Sequence, residues 1–198
     1  VWQEAWVDTP LHGEAVAPLS WLLLVDAAGV GQKLAELLAS RGHVVTIVHS
    51  RDRFHEHGDG EYSVNPEAGR DDFDRLLQRL AELGRAPDRV AHLWLLGEGS
   101  EPRPWSTSYH RNQEHGVYSL LHLASAHARH AGDKAVVHHV VGSGLFADEL
   151  SLEQRERTTV LGACRVIPNE LARQQVRALD LESGGAAKTG WAQRARLE

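Results

Sequence analysis

An α/β fold built on a parallel sheet is the class this sequence predicts, and three observations predict it. First, Trp21–Leu38, WLLLVDAAGVGQKLAELL, sets an apolar run, a small-residue turn and an amphipathic run in direct succession. Second, further apolar and β-branched runs recur at residues 43–49, 89–96, 135–141 and 175–181, with helical periodicity or loops between them. Third, 198 residues, 42% hydrophobic and 24% charged, suit one globular domain with a sizeable core. Strands that alternate with helices form βαβ units and a parallel sheet, with helices on both faces.

In chain order, Val1–Val7 places Trp2 and Trp6 on a two-residue period and reads as a leading strand. Residues 8–20 carry two prolines and a glycine and read as a loop. Trp21–Val25 is a buried strand, and the helix after it, with Leu34, Leu37 and Leu38 on one face, stops near Arg41-Gly42. His43–His49 is a second strand. Ser50–Pro66 is polar and reads as irregular, with Gly58-Asp59-Gly60 as a turn and Phe54 and Tyr62 as anchors. Gly69–Leu83 puts Phe73, Leu76, Leu77, Leu80 and Leu83 on one helical face.

Arg89–Leu96 is a third strand, residues 97–105 a Gly- and Pro-rich loop, and Tyr109–Ala131 a long helix with Val117, Leu120, Leu121 and Ala124 inward. Ala135–Val141 is a fourth strand, followed by Gly142-Ser143-Gly144. Leu152–Leu171 is helical with a break at Pro168. Gln175–Leu181 is a fifth strand, residues 183–190 a small-residue linker, and Trp191–Leu197 an extended closing segment. The whole is one domain over residues 1–198: a leading strand at 1–7, a core over 20–182, and a linker with a last strand at 183–198. The two end segments are expected to pair with each other outside the parallel sheet.

Composition excludes several classes of function. A net charge of −6 with no basic stripe argues against nucleic acid. No apolar run approaches the roughly 20 residues of a membrane span, and VWQEAWV lacks the pattern of a signal peptide. The single cysteine, Cys164, excludes an internal disulfide and fits a reducing, cytoplasmic compartment. The chain contains no methionine, which suits a piece of a longer polypeptide.

Strand, glycine turn and helix open a Rossmann-like dinucleotide fold, in which glycines admit the pyrophosphate to free N–H groups at the helix start. Gly29 and Gly31 supply G-x-G, but Leu34 stands where the third glycine belongs. Asp26 brings a carboxylate to the strand end, where it would repel phosphates. His49 and Ser50 stand where an acidic residue commonly binds the ribose; Arg51 and Arg53 have the chemistry to suit a 2′-phosphate, and otherwise read as solvated loop charges. The turn formed by Asp26, Gly29, Gly31 and Leu34 is therefore degenerate, and no cofactor is expected.

No catalytic set is expected either. Ser143 stands where the serine of a short-chain reductase would stand, but Tyr118 is the last tyrosine, so no proton donor follows. Tyr109 lies close to Asn112 but precedes the serine. Val141-Gly-Ser-Gly-Leu145 does not match G-x-S-x-G. His138 and His139 point to opposite faces of a strand and cannot share an ion. His55 and His57 share a face, but only Glu56 and Asp59 are near, so no metal site is expected. Cys164 reads as a small buried hydrophobe.

VWQEAW followed by WLLLVDAAGVGQKLAELLASRGHVV resembles the start of a ketoreductase region in modular polyketide synthases. The resemblance continues through GDGEYSVNPEAGRDDFDRLLQRLAELGRAPDRVAHLW, HGVYSLLHLASAHARH and VVGSGLF. TTVLGACRVIPNEL is similar to the non-catalytic half of such ketoreductases, notably in trans-acyltransferase and hybrid assembly lines, and GWAQRARLE to the segment that leaves that half. The resemblance implies a truncated Rossmann-like structural subdomain, a pseudo-ketoreductase without cofactor. The family's catalytic Lys, Ser, Tyr and Asn belong to the other half.

The implied partners are adjacent synthase domains: the catalytic ketoreductase half, a dehydratase, a methyltransferase or an enoylreductase, together with the acyl carrier protein. Two other readings stand beside it. One is part of an NADPH-dependent β-ketoacyl reductase that needs a partner catalytic half. The other is a self-association module.

Overall fold

The computed structural model describes residues 17–96, 108–146, 151–181 and 193–195. The expected strand at 1–7, loop at 97–105 and linker at 183–190 lie outside the described residues. The first half runs β1 (Ser20–Leu24), α1 (Val30–Ser40), β2 (Val44–Ser50), β3 (His55–Gly58), β4 (Glu61–Val64), α2 (Asp71–Glu82) and β5 (Arg89–Leu95). Next come α3 (Ser108–Gln113), a π-helical turn (Glu114–Tyr118) and α4 (Ser119–His130). The second half runs β6 (Val136–Gly142), α5 (Leu152–Thr158), α6 (Val160–Glu170), β7 (Gln174–Leu181) and β8 (Gln193–Ala195).

The described strands form one sheet in the order β3-β4-β2-β1-β5-β6-β7-β8. The six inner strands are parallel, and β3 and β8 add antiparallel at the two edges. The predicted α/β class holds, with helices on both faces. On one face Leu22, Leu24, Val48, Val90, Val136 and Val140 pack under α2, α4 and α6, through Phe73, Leu76, Leu77, Leu80, Leu123 and Ile167. On the other, Leu23, Ala91, Leu93 and Val141 cluster with Ala35 and Leu38 of α1. Among the described residues α1 alone covers that second face.

Several expectations need correction. Residues 50–66 are not irregular: they form the hairpin β3–β4, and β4 joins β2 in parallel. Its turn is Asp59-Gly60, both at positive φ (51° and 82°), the mirror-image turn that matches strand twist. The strands escape sequence reading because β3, HEHG, is exposed throughout and carries no apolar residue. Tyr62 and Phe54 do anchor the segment.

The helix break falls at Thr159 between α5 and α6, and Pro168 sits inside the last turn of α6. Leu121, expected inward, is 37% exposed, because α4 instead buries the polar Ser119 and His127 alongside Leu120 and Leu123. Leu83 is 41% exposed because α2 ends at Glu82. The closing segment does become a strand, but β8 joins the main sheet against β7 rather than lying outside it. Among the described residues no helix is long and apolar enough to cross a membrane.

Under α4 the sheet is partly polar. His92 and His138 are wholly buried and His127 nearly so. Ser119 Oγ donates to the Gly116 carbonyl (3.2 Å), so His92 Nε2 donates to Ser119 Oγ (2.8 Å). His138 Nε2 lies 2.8 Å from Gln174 Oε1, and the Gln174 amide donates to the Ala124 carbonyl (2.8 Å). Burial pushes the His92 pKa down to about 3 and the His138 pKa to about 4, and lowers that of His127.

The unfolded chain takes up these protons near pH 6.5, whereas the folded chain refuses them until about pH 4. Each proton withheld costs roughly 1.4 kcal/mol per pH unit in that window. Urea denaturation should therefore show full stability at pH 7 and a loss on the order of 4 kcal/mol at pH 5 from His92 and His138 together. The loss should shrink in His138→Leu.

Candidate functional site

In a doubly wound sheet, ligands bind where loops leave the carboxyl ends of the parallel strands. Among the described residues, three of the loops that leave such ends carry the residues of interest: after β1 (Asp26–Gly29), after β6 (Ser143–Phe146) and after β2 (Arg51–Phe54).

The loop after β1 enters α1 through Gly29 at φ 85°, a left-handed conformation that glycine adopts without strain. Gly31 has a different role. A Cβ there would meet Val25 Cβ at 2.8 Å and Leu93 Cδ1 at 3.0 Å, so glycine lets α1 lie directly on the sheet. Leu34, in the third glycine position, is partly buried in the same apolar cluster.

Asp26 closes the arrangement. Its Oδ1 accepts from the Gly31 N–H at 2.6 Å and its Oδ2 from the Val30 N–H at 3.2 Å. These are orphan amides of the first helical turn, the donors a phosphate would use. The sequence suggested repulsion of phosphates by Asp26. The geometry shows the carboxylate seated on the amides themselves.

The loop after β6 repeats this device. Asp180, buried on β7, accepts from the Gly144 N–H (2.7 Å) and the Phe146 N–H (3.0 Å). Ser143 is itself buried. A Cβ on Gly144 would run into Gln154, which together with Ser151 forms the capping box that opens α5. The sequence did not single out Asp180, although a carboxylate at a strand end opposite G-S-G is the same signal as Asp26.

The loop after β2 is open. His49, Arg51, Arg53, His55, His57 and Glu61 line a shallow cleft of about 600 Å³ on the hairpin side. The His55 and His57 rings are 4.7 Å apart and both exposed, as a shared strand face requires. His49 Nε2 lies 3.9 Å from Glu61, and burial lowers the His49 pKa. Among the described residues no group of three His, Cys, Asp or Glu side chains is placed to hold a metal ion. A second cleft of about 600 Å³, between α6 and β7, is lined by Phe146, Leu161, Cys164 and Val176. Burial raises the Cys164 thiol pKa to about 12, which leaves it a neutral packing group at neutral pH.

The remaining candidates are not brought together. Tyr109 is 51% exposed, while Asn112 is buried and donates to Glu156 Oε2 at 2.9 Å. His138 packs beneath α4, and His139 stacks on Trp21 across the opposite face, 5.8 Å between ring centroids.

Strand order and the position of α1 define a Rossmann-like α/β domain with a short-chain-reductase-like fold. The chain belongs to the family described as beta-ketoacyl synthase-like, N-terminal, whose model matches residues 21–136.

Among solved structures it is similar to part of the adenylation, ketoreductase and pseudo-Asub multidomain structure of a keto acid-selecting NRPS module. That match has a TM-score of 0.78 at 18% identity, over 93% of this chain and 15% of the other. It is also similar to an N-terminal ketoreductase from the macrolactin assembly line, at TM-score 0.64 and 16% identity over 83% and 32% of the two chains. A short-chain dehydrogenase from Mycobacterium smegmatis matches at TM-score 0.65 and 16% identity, over 89% and 81%. The chain thus spans less than a third of the first two. No curated protein matches it.

Substitutions at two positions test this geometry. Asp26→Ala should cost about 1 kcal/mol as a lost helix cap, and Asp26→Asn less, since one acceptor remains. Gly31→Ala should cost about 1–3 kcal/mol because Val25 and Leu93 must give way. Urea midpoints of the three variants read both effects.

Proposed function

We propose that this chain is the structural, non-catalytic half of a ketoreductase region in a modular polyketide synthase of the trans-acyltransferase or hybrid type. Its task is mechanical: it buries a face of a neighbouring catalytic domain and sets domain spacing along a cytoplasmic megasynthase. Such neighbours are a catalytic ketoreductase half, a dehydratase, a methyltransferase or an enoylreductase, with the acyl carrier protein within reach.

The observation that carries this reading is the Asp26 carboxylate on the Val30 and Gly31 amides. A pyrophosphate needs those donors free and finds them taken. Two further features agree with it. No tyrosine follows Ser143 to donate a proton to a carbonyl, and Asn112 is engaged with Glu156. The likeness to ketoreductase-containing assembly-line structures supports the setting.

Titration with NADPH tests the reading. A ligand at a hundredfold excess over its dissociation constant would stabilise the fold by about 2.7 kcal/mol. The expected result is no shift in melting temperature and no quenching of tryptophan fluorescence. Saturable binding in the micromolar range would overturn it.

A further inference from the structure

The sheet edge beyond β2 carries a pair of histidines that the proposed function does not use. His55 and His57 are two residues apart on β3, the exposed edge strand, so both rings stand on one side of the sheet. They line the cleft after β2 together with His49 and Glu61.

The two rings are closer than a regular strand dictates. Residues two apart along such a strand are separated by roughly 6.6 Å. The His55 and His57 ring centroids are 4.7 Å apart, with the ring planes at 70°. The β3–β4 register shifts between Glu56 and Gly58, at His57, and a bulge of this kind re-aims a side chain. The rings therefore converge. Neither makes a hydrogen bond or ion pair among the described residues.

Convergence at this distance has a chemical meaning. A zinc–imidazole bond of about 2.1 Å puts the ring centroid roughly 3.2 Å from the ion. Two such rings at a right angle about the ion have centroids roughly 4.5 Å apart, and at a tetrahedral angle roughly 5.2 Å apart. The observed 4.7 Å lies between these values. Imidazole nitrogen suits zinc, copper and nickel, whereas calcium and magnesium take oxygen ligands.

The charges around the pair admit a cation. The two arginines of the cleft, Arg51 and Arg53, are matched in number by two carboxylates, Asp52 and Glu61. Burial lowers the His49 pKa despite the Glu61 carboxylate, and the charges of Arg51 and His57 lower it further, so this neighbouring ring is neutral at pH 7.

We propose that His55 and His57 together chelate one divalent ion of the zinc, copper and nickel class. Residue spacing alone predicts no metal here, because a third ligand is missing, and none is in place among the described residues. Water or an external donor therefore completes the coordination, and the site is an open one. The inference concerns the hairpin alone and stands apart from the proposed role in a synthase.

Calorimetric titration of the full chain with zinc tests it, at neutral pH in a buffer that does not bind metal. Saturable binding is expected in the parent chain. His55→Gln and His57→Gln should each weaken it about tenfold or more, since even an outer-shell partner of a metal ligand is worth about 10–100-fold. Both side chains are exposed, so both variants should fold. His110→Gln, which removes an exposed histidine of α3, should leave the binding unchanged. No saturable binding, or equal affinity in the parent and in the His55 and His57 variants, would overturn the proposal.

A second readout uses the parent chain. In its histidine-ring NMR spectrum, zinc should shift the His55 and His57 signals together, with one midpoint. Shifts confined to other histidines would also overturn it.

Discussion

The contact on which the structure depends is the seating of α1 on β1. Two residues make it. Gly31 removes the Cβ that would strike Val25 and Leu93, so the helix approaches at backbone distance. Asp26 then binds the amides that this approach leaves without intrahelical partners. A reductase of this shape leaves such amides to its cofactor. Here an internal carboxylate accepts from the Val30 and Gly31 N–H groups. Asp180 does the same for the loop after β6. At both positions the geometry that usually recruits an anion is kept, and its charge requirement is met from within.

A second constraint is the unequal covering of the sheet. A parallel sheet is stable when both faces are buried. Here α2, α4 and α6 cover one face, while α1 alone covers the other among the described residues. The hairpin β3–β4 takes the place of a crossover helix between β2 and β4, which leaves His49, His55 and His57 on an open flank.

The well-covered face has its own economy. Two histidines lie buried under α4 and a third, His127, faces inward from it, and the bonds of His92 to Ser119 and of His138 to Gln174 satisfy only one ring nitrogen each. Apolar residues would have packed there without that cost. The rings stay neutral because burial disfavours the imidazolium. The same polar line explains why α4 turns Ser119 and His127 inward and leaves Leu121 partly outside.

Much of this was legible in the sequence. The runs at Trp21–Val25, Arg89–Leu96 and Gln175–Leu181 announced buried parallel strands, because side chains buried on both faces leave no polar alternation. Asp26 and Leu34 marked the glycine turn as altered, since the fingerprint depends on residue type at fixed spacing. The hairpin was not legible as strands: HEHG draws its place from backbone pairing with β4, which leaves no apolar trace.

By itself, then, the sequence determined the α/β class, five of the six parallel strands and the departure of the glycine turn from the usual fingerprint, all consequences of local pattern. The tertiary structure alone decided that Asp26 sits on the Val30 and Gly31 amides, that Asp180 closes a loop 34 residues away, and that α1 is the one helix on its sheet face among the described residues. Each of those depends on which elements lie side by side, and pattern along a chain does not carry that.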